Sequence, residues 1–554
     1  MNILGLTAPV SWNNAAALVQ NGRVVSAAEE ERFVRVKQAP RMPAIQAARF
    51  CLDYSSIDGS DVDVIAIGWK PPFEYTRRQF ITHLRHREWR DALFSFPSGA
   101  EYGIQLYKLK RELEDLNPGL RGTPWVFVDH HVAHAASTFR TSGFDKAIVL
   151  TVDGNGEDQS GLSAIGSDGG LDIIERRSIA NSLGVLYGNT TQLLGFTRHV
   201  DEGKIMGLAA YGTPQIPIAG LHITDSGYSI ARRYNRSGFW REFTDKRKPG
   251  DPIESVHKDI AASTQHQLEL AGVALAQGMH ARTNIRKFCL AGGVALNCDM
   301  NAQIRDLDFV DEIYIQPASH DAGTALGAAL EVAARHGEPS GFRMDHAYLG
   351  PEYSPRDIQS VLDEVKIPYT QPADIARTTA ELLRDGALVG WFQGRMELGP
   401  RALGARSILA HPGKPEMKDR VNAEVKHREG WRPFAPSILE EEVANVVENA
   451  CPTPFMLLTF MVRPEWRDRL ASATHVDGTM RIQSVSAQTN ARYHQMISHF
   501  RRLTGIPAVL NTSFNDRGEP IVMSPRDALR TFFSTGLEHL AIGDFLVSKH
   551  GPAS

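Results

Sequence analysis

Val128-Asp129-His130-His131-Val132-Ala133-His134-Ala135-Ala136-Ser137 joins two kinds of segment. Before it runs Trp125-Val126-Phe127-Val128, a short β-type apolar strand. After it the residues are small and helix-compatible. Asp129 stands where a helix N-cap belongs, its carboxylate able to accept from the first unpaired N–H groups. Residues four apart share one helical face, so His130 and His134 point together while His131 points elsewhere. Two imidazoles on one face can bind a divalent metal. An ordinary helix carrying three histidines would read the same from this stretch alone.

Working outward, the chain opens with an apolar strand at Asn2 to Thr7 and a polar turn. Two β-type runs follow, Ala15 to Gln20 and Arg23 to Ala28, around Asn21-Gly22. Asn-Gly suits a tight hairpin because both turn positions take positive φ. Beyond these come a helical pattern from Pro43 to Asp53, a strand at Val62 to Trp69 and charged helical sequence over 76–116. Past the His segment the opening pattern returns: strand Ala147 to Val152, polar turn Asp153 to Gly156, strand Leu162 to Ile165, turn, strand Leu171 to Ile174. Two strand-turn-strand-turn-strand units predict an internal duplication of the actin-like ATPase type, a statement of fold only.

A helix is expected over 257–281. The strand Lys287 to Leu290 then runs into Gly292-Gly293 and Asn297, where glycines let backbone approach a ligand. Strand Glu312 to Gln316 leads to Asp321-Ala322-Gly323 and a small-residue helix. Strand ends that aim Asp153 and Asp321 at the His face would complete a metal site. Two histidines with carboxylates suit Fe(II), Mn(II) or Zn(II) better than Ca(II). Asp321 as a simple helix cap is the alternative.

Prolines and glycines loosen the pattern from Gly337 to Pro372, and a boundary is expected there: an actin-like domain over 1–345 and a second α/β domain over 346–554. The second part carries Gly399-Pro400-Arg401, Lys426-His427-Arg428, Arg432, Arg481 and Ser513-Phe514-Asn515 beside turns and glycines. Arginine forks and a lysine ammonium grip phosphate and carboxylate oxygens.

The 554 residues suffice for two or three domains, and the net charge of −4 gives no global basic field for nucleic acid. Four cysteines without a Cys-x-x-Cys pair suggest a reducing, cytoplasmic setting. No stretch reaches the roughly 18 apolar residues of a membrane helix, so neither membrane nor nucleic acid is expected as a partner.

Taken together, Glu29-Glu30-Glu31-Arg32-Phe33, the His helix, Asp153-Gly154, Glu202-Gly203-Lys204-Ile205-Met206-Gly207-Leu208, Gly292-Gly293-Val294, Asp321-Ala322-Gly323, Gly399-Pro400-Arg401-Ala402-Leu403-Gly404 and Asn511-Thr512-Ser513-Phe514-Asn515 resemble the O-carbamoyltransferases of antibiotic and nodulation pathways. The likeness covers nearly the whole chain. It implies a threonylcarbamoyl-transferase-like actin-type domain holding iron on His130, His134, Asp153 and Asp321. It also implies a threonylcarbamoyl-adenylate-synthase-like domain that makes carbamoyl-adenylate from carbamoyl phosphate and ATP with Mg²⁺. The carbamoyl group would then pass to a hydroxyl of a small natural-product acceptor, with the labile adenylate kept from water.

On this reading Arg401, Lys426, Arg428 and Arg432 grip carbamoyl phosphate and nucleotide, aided by Ser513 and Asn515. Gly292, Gly293 and Asn297 line the adenosine. Lys204 either reaches phosphate or pairs with Glu202. The acceptor pocket is expected from loops such as 70–115 and 212–250.

The sequence departs from the family pattern at Asn13-Asn14, where His-Asp is usual, and at Lys37-Gln38, where Lys-His is common. Asn13 at the transfer site can hydrogen-bond but cannot act as a base. The competing readings are a tRNA-modifying threonylcarbamoyl enzyme, an actin-like sugar kinase and a decayed scaffold. Tight tRNA binding would mark the first and ADP release the second. Retention of the four candidate ligands argues against the third.

Overall fold

A computed structural model describes residues 1–218, 220–231, 244–339 and 341–549. The chain divides into two compact units, Met1–Val34 with Gln38–Met344, and Asp345–Ser554 with Arg35–Lys37. The short Arg35–Lys37 segment belongs with the second unit because the Arg35 guanidinium donates to the carbonyls of Ile521 (2.7 Å) and Pro520 (2.9 Å).

The first unit holds two five-stranded sheets of the same plan. In one, Asn2–Leu6 is central, with Ala15–Gln20 and Arg23–Glu29 antiparallel on one side and Val64–Ile67 and Trp125–Phe127 parallel on the other. In the other, Lys146–Gly156 takes the central place, with Gln159–Ser167 and Gly170–Ser178 antiparallel and Lys287–Ala291 and Glu312–Ile315 parallel. This is the duplicated actin-like fold, and its repeat follows the two strand-turn units read from the sequence.

Some boundaries moved. The stretch 76–116 forms two helices, Pro72–Arg85 and Trp89–Leu116. The expected turn at Asp153–Gly156 is still strand; the chain reverses at Glu157-Asp158, with Glu157 at φ 58°. A register shift between Val152 and Gly156 is the reason. Such irregularities bend a strand and re-aim a side chain, here Asp153. Of the loops expected to build an acceptor pocket, 232–243 lie outside the described residues.

Helix Ala322–Arg335 packs against helix His130–Phe139 at very short range. A Cβ on Gly327 would lie 1.8 Å from the Ala133 carbonyl oxygen, and one on Gly5 would lie 2.0 Å from that of Ala325. The buried Arg140 guanidinium ties the same helices by donating to Glu331 Oε2 from Nη2 (2.7 Å) and Nε (3.1 Å). Gly327→Ala should therefore push apart the helices that place His130, His134 and Asp321. The expected cost is about 1–3 kcal/mol, read as a lowered midpoint in urea unfolding. An unchanged midpoint would mean the packing relaxes freely.

The second unit is built on an eight-stranded mixed sheet in the order Tyr369–Thr370, Phe545–Ser548, His539–Ile542, Val389–Phe392, Arg406–Ala410, Ala508–Ser513, Ala435–Leu439, Gln483–Val485. Its core gathers Phe392, Ile408, Leu510, Phe514 and Leu540, all fully buried or nearly so. Among the described residues, no helix is long and apolar enough to cross a membrane.

A four-ligand centre and a cationic cluster

Asp129 caps the His helix, accepting from the Val132 N–H at 3.4 Å. All three histidines are buried there. His130 Nε2 lies 3.2 Å from His134 Nε2, 3.4 Å from Asp153 Oδ2 and 3.7 Å from Asp321 Oδ1. His134 Nε2 lies 3.7 Å from Asp153 Oδ2 and 3.9 Å from Asp321 Oδ1. One ligand atom from each of the four residues thus falls within 4.8 Å of the others.

Each ligand is set by its surroundings. His130 Nδ1 faces the Gly68 carbonyl at 3.3 Å, which makes Nδ1 the donor, so that Nε2 is the nitrogen turned inward and gives up its proton when a metal binds. Asp153 Oδ1 accepts from the Gly293 N–H at 2.9 Å, so only Oδ2 is turned to the centre. Asp321 precedes helix Ala322–Arg335 but makes no side-chain cap bond, so capping does not explain it.

Burial alone would depress His130, yet its hydrogen bond to Asp153 and the charges of Asp321 and Asp153 push it up to about 9. Burial depresses His134 well below its usual value, helped by His130. Two imidazoles and two carboxylates converging on one buried point are a donor set for a divalent transition metal, and the residues fit Fe(II), Mn(II) or Zn(II).

The acidic motif near the N-terminus supports this centre from behind. Burial would raise Glu29, but Arg32 and His320 hold it at about 2. His320 Nε2 sits 3.2 Å from Glu29 Oε1, which fixes the residue next to Asp321. Glu30 accepts from the Gln46 (3.2 Å) and Ala47 (2.8 Å) amides at the start of helix Ile45–Tyr54.

Other expected residues fall as follows. Gly292 has φ 90°, and a Cβ there would meet the Val152 carbonyl at 2.3 Å, so this left-handed turn requires glycine. Asn297 caps helix Cys298–Arg305 and exchanges two hydrogen bonds with Gln265 (2.8 and 3.0 Å). Lys204 pairs with Asp201 at 3.2 Å rather than with Glu202, whose Oε1 accepts from the His199 N–H. Asn13 is part-buried, while Asn14 is buried and closes the first turn through Thr7, Ser11 and Ala39.

In the second unit Lys426, Ser513 and Asn515 meet. Lys426 Nζ lies 2.5 Å from the Ser513 carbonyl, 3.0 Å from that of Asn515 and 2.6 Å from Asn515 Oδ1. Burial, then Arg428, Lys37 and Arg432, pull the ammonium well below its ordinary range. Arg428 is lowered likewise by burial and by Arg432. It stacks 4.5 Å over Phe434 and donates to Asn422 Oδ1 at 2.7 Å. Crowded, desolvated cations of one sign repel, and an anion bound among them relieves that repulsion.

Arg401 lies on a loop whose backbone is held from both sides. Glu397 Oε1 accepts from the amides of Leu403 (2.7 Å), Arg406 (3.3 Å) and Ala405 (3.4 Å). Asn511 donates to the Ala402 carbonyl at 3.1 Å. Sequence reading missed Glu397. Its signal is an acid set between apolar residues in a glycine-rich stretch, Met396-Glu397-Leu398-Gly399. Arg406 is wholly buried against Phe392 and serves the fold, donating to the carbonyls of Gln393, Gly394 and Pro351.

Fold and sites together define an actin-like module with a buried transition-metal donor set, joined in one chain to an α/β unit with a cationic cluster. The family model for the carbamoyltransferase N-terminus matches residues 2–330 and that for the carbamoyltransferase C-terminus matches 380–549. The chain belongs to the carbamoyltransferase family. Similar proteins include nodulation protein NolNO of Sinorhizobium fredii, 39% identical over 99% of this chain and 80% of the relative. Nodulation protein NolO of Bradyrhizobium diazoefficiens is 41% identical over 77% of this chain and 80% of the relative. Among solved structures, HypF of T. kodakarensis superposes with a TM-score of 0.35 at 13% identity, covering 61% of this chain and 48% of that one.

Proposed function

We propose that this carbamoyltransferase is ATP-dependent, uses carbamoyl phosphate as donor and modifies a hydroxyl of a small natural-product acceptor. The observation that carries the reading is the cluster of Lys426, Arg428 and Arg432 around the Ser513–Asn515 strand end. Carbamoyl phosphate and a nucleotide triphosphate are both small polyanions, and both need such a cluster. Here the second unit first lets water take the phosphoryl group of carbamoyl phosphate by P–O cleavage, releasing inorganic phosphate and carbamate. It then joins the carbamate oxygen to the α-phosphorus of ATP, releasing pyrophosphate. Lys426 keeps the Ser513–Asn515 backbone in place, and Arg428, Arg432 and Arg401 offset the phosphate charge.

In the first unit His130, His134, Asp153 and Asp321 hold a divalent metal, iron by family likeness. When bound it supplies positive charge for phosphate oxygens of the adenylate. Gly292 and Gly293 let the adenosine approach the backbone, and Gly293 also holds Asp153 for its role as ligand.

The test is product analysis without an acceptor. With ATP, Mg²⁺ and carbamoyl phosphate the protein should release pyrophosphate and AMP, each requiring carbamoyl phosphate. ADP in place of AMP would instead favour kinase chemistry, and no nucleotide turnover would remove the adenylate step.

A further inference from the structure

Carbamoylation of an alcohol needs a base, because the hydroxyl proton must leave as the new C–O bond forms. The inference here rests on the proposed function. Asn13 takes no proton at neutral pH. His130 and His134 face the four-ligand centre. His131 is enclosed, and His320 is engaged by Glu29.

His199 is placed differently. It lies exposed in the loop before helix Glu202–Ala209. Its ring stacks on Trp12 with centroids 4.8 Å apart and planes 21° from parallel. Trp12 immediately precedes Asn13, and its backbone amide hydrogen-bonds the Asp321 carboxylate. The imidazole is thus two contacts from a ligand of the four-residue centre.

The loop backbone is fastened there. The His199 N–H donates to Glu202 Oε1 at 2.6 Å, and its carbonyl accepts from the Gln38 side-chain amide. With φ at 68°, His199 holds a left-handed conformation that few side-chain-bearing residues adopt, and the surroundings maintain it. His199 thus touches Gln38, one of the two departures from the family pattern, and Trp12, the residue that precedes the other at Asn13. Among the described residues, neither ring nitrogen has a hydrogen-bond partner.

We infer that His199 is the general base that takes the proton of the acceptor hydroxyl. As the hydroxyl oxygen bonds to the carbamoyl carbon, its proton moves to an imidazole nitrogen. The bond from that carbon to the phosphate oxygen breaks, AMP leaves with the electron pair, and the imidazolium returns its proton to water. Although the residue is exposed overall, partial desolvation of the ring stacked on Trp12, then the Arg198 charge, lower it from the ordinary histidine value, against the pull of Asp153. Arg198 and Asp153 are the charged groups that set this balance, and Glu202 beside them accepts from the His199 backbone N–H. A neutral imidazole at physiological pH is the form that accepts a proton.

The test compares two small acceptors on the full chain with ATP, Mg²⁺ and carbamoyl phosphate. Glycerol must lose a proton as it attacks. Hydroxylamine attacks through a neutral nitrogen lone pair and needs no such help. The variant His199→Asn suits the site because asparagine tolerates the left-handed conformation. It should lower kcat/KM for glycerol by about 100-fold or more, leave hydroxylamine carbamoylation nearly intact, and recover glycerol activity when free imidazole is added.

Wild-type glycerol transfer should also fall at acid pH as the ring protonates, and the variant should lack that limb. Equal loss with both acceptors, or loss with neither, would overturn the assignment of His199 while leaving the proposed function standing. A wild-type protein that forms no pyrophosphate with carbamoyl phosphate would overturn the function and the base together.

Discussion

Lys426→Met is expected to cut carbamoyl-phosphate-dependent pyrophosphate release by about 10³-fold, at the upper end of what one preorganised electrostatic group contributes. The lysine is 5% exposed and is bound by Ser513 and Asn515. Methionine fills similar volume but offers no donor, so the Ser513–Asn515 strand end loses its tie and the cluster loses a charge. Arginine would not substitute, since its planar fork cannot enter a pocket shaped for a compact ammonium. Continuous pyrophosphate detection gives the rate, and far-ultraviolet circular dichroism checks that the fold persists. A loss of less than tenfold would show that Lys426 is ancillary and would move attention to Arg428 and Arg432.

The second large effect concerns the four-ligand centre. Asp153→Ala removes the residue that Gly293 orients and leaves two imidazole nitrogens 3.2 Å apart with one fewer counter-charge. Loss of a direct ligand should weaken metal binding beyond the 10–100-fold typical of supporting residues. Carbamoyl transfer to hydroxylamine should fall by about 10²–10⁴-fold, the equivalent of several kcal/mol of charge stabilisation. Pyrophosphate release should persist, because the residues proposed for it lie in the other unit. Metal content after dialysis, measured by mass spectrometry, checks the first half of the expectation, and the paired rates check the second. Equal loss of both rates would mean that the two chemistries do not divide between the units as proposed.

Much of this was legible before the structure because the signals were local. Helical spacing put His130 and His134 on one face, and Asn21-Gly22 announced the first hairpin. The duplication could be read because both copies open on an apolar strand followed by a polar turn. Other features were hidden because they depend on pairing at long range. The extension of Lys146–Gly156 past Asp153 follows from a register shift against its neighbour strand, which local polarity disguised as a turn. Lys204 had acids at both 201 and 202 within reach, and only the start of the helix decided for Asp201. Glu397 is marked as an acid among apolar residues, but its partners at the Arg401 loop are backbone amides, which the side-chain pattern does not name. His199 was passed over because nothing in sequence places a residue near 199 against one near 12.

The central claim is that the carbamoyl group is carried on AMP. Carbamoyl phosphate labelled with ¹⁸O in its carboxyl oxygens tests it most directly, with the AMP product read by mass spectrometry. If carbamate oxygen bonds to the α-phosphorus, attack at the carbamoyl carbon leaves that oxygen behind, and the AMP carries one ¹⁸O. Unlabelled AMP, or carbamoyl transfer with ATP untouched, would contradict the account.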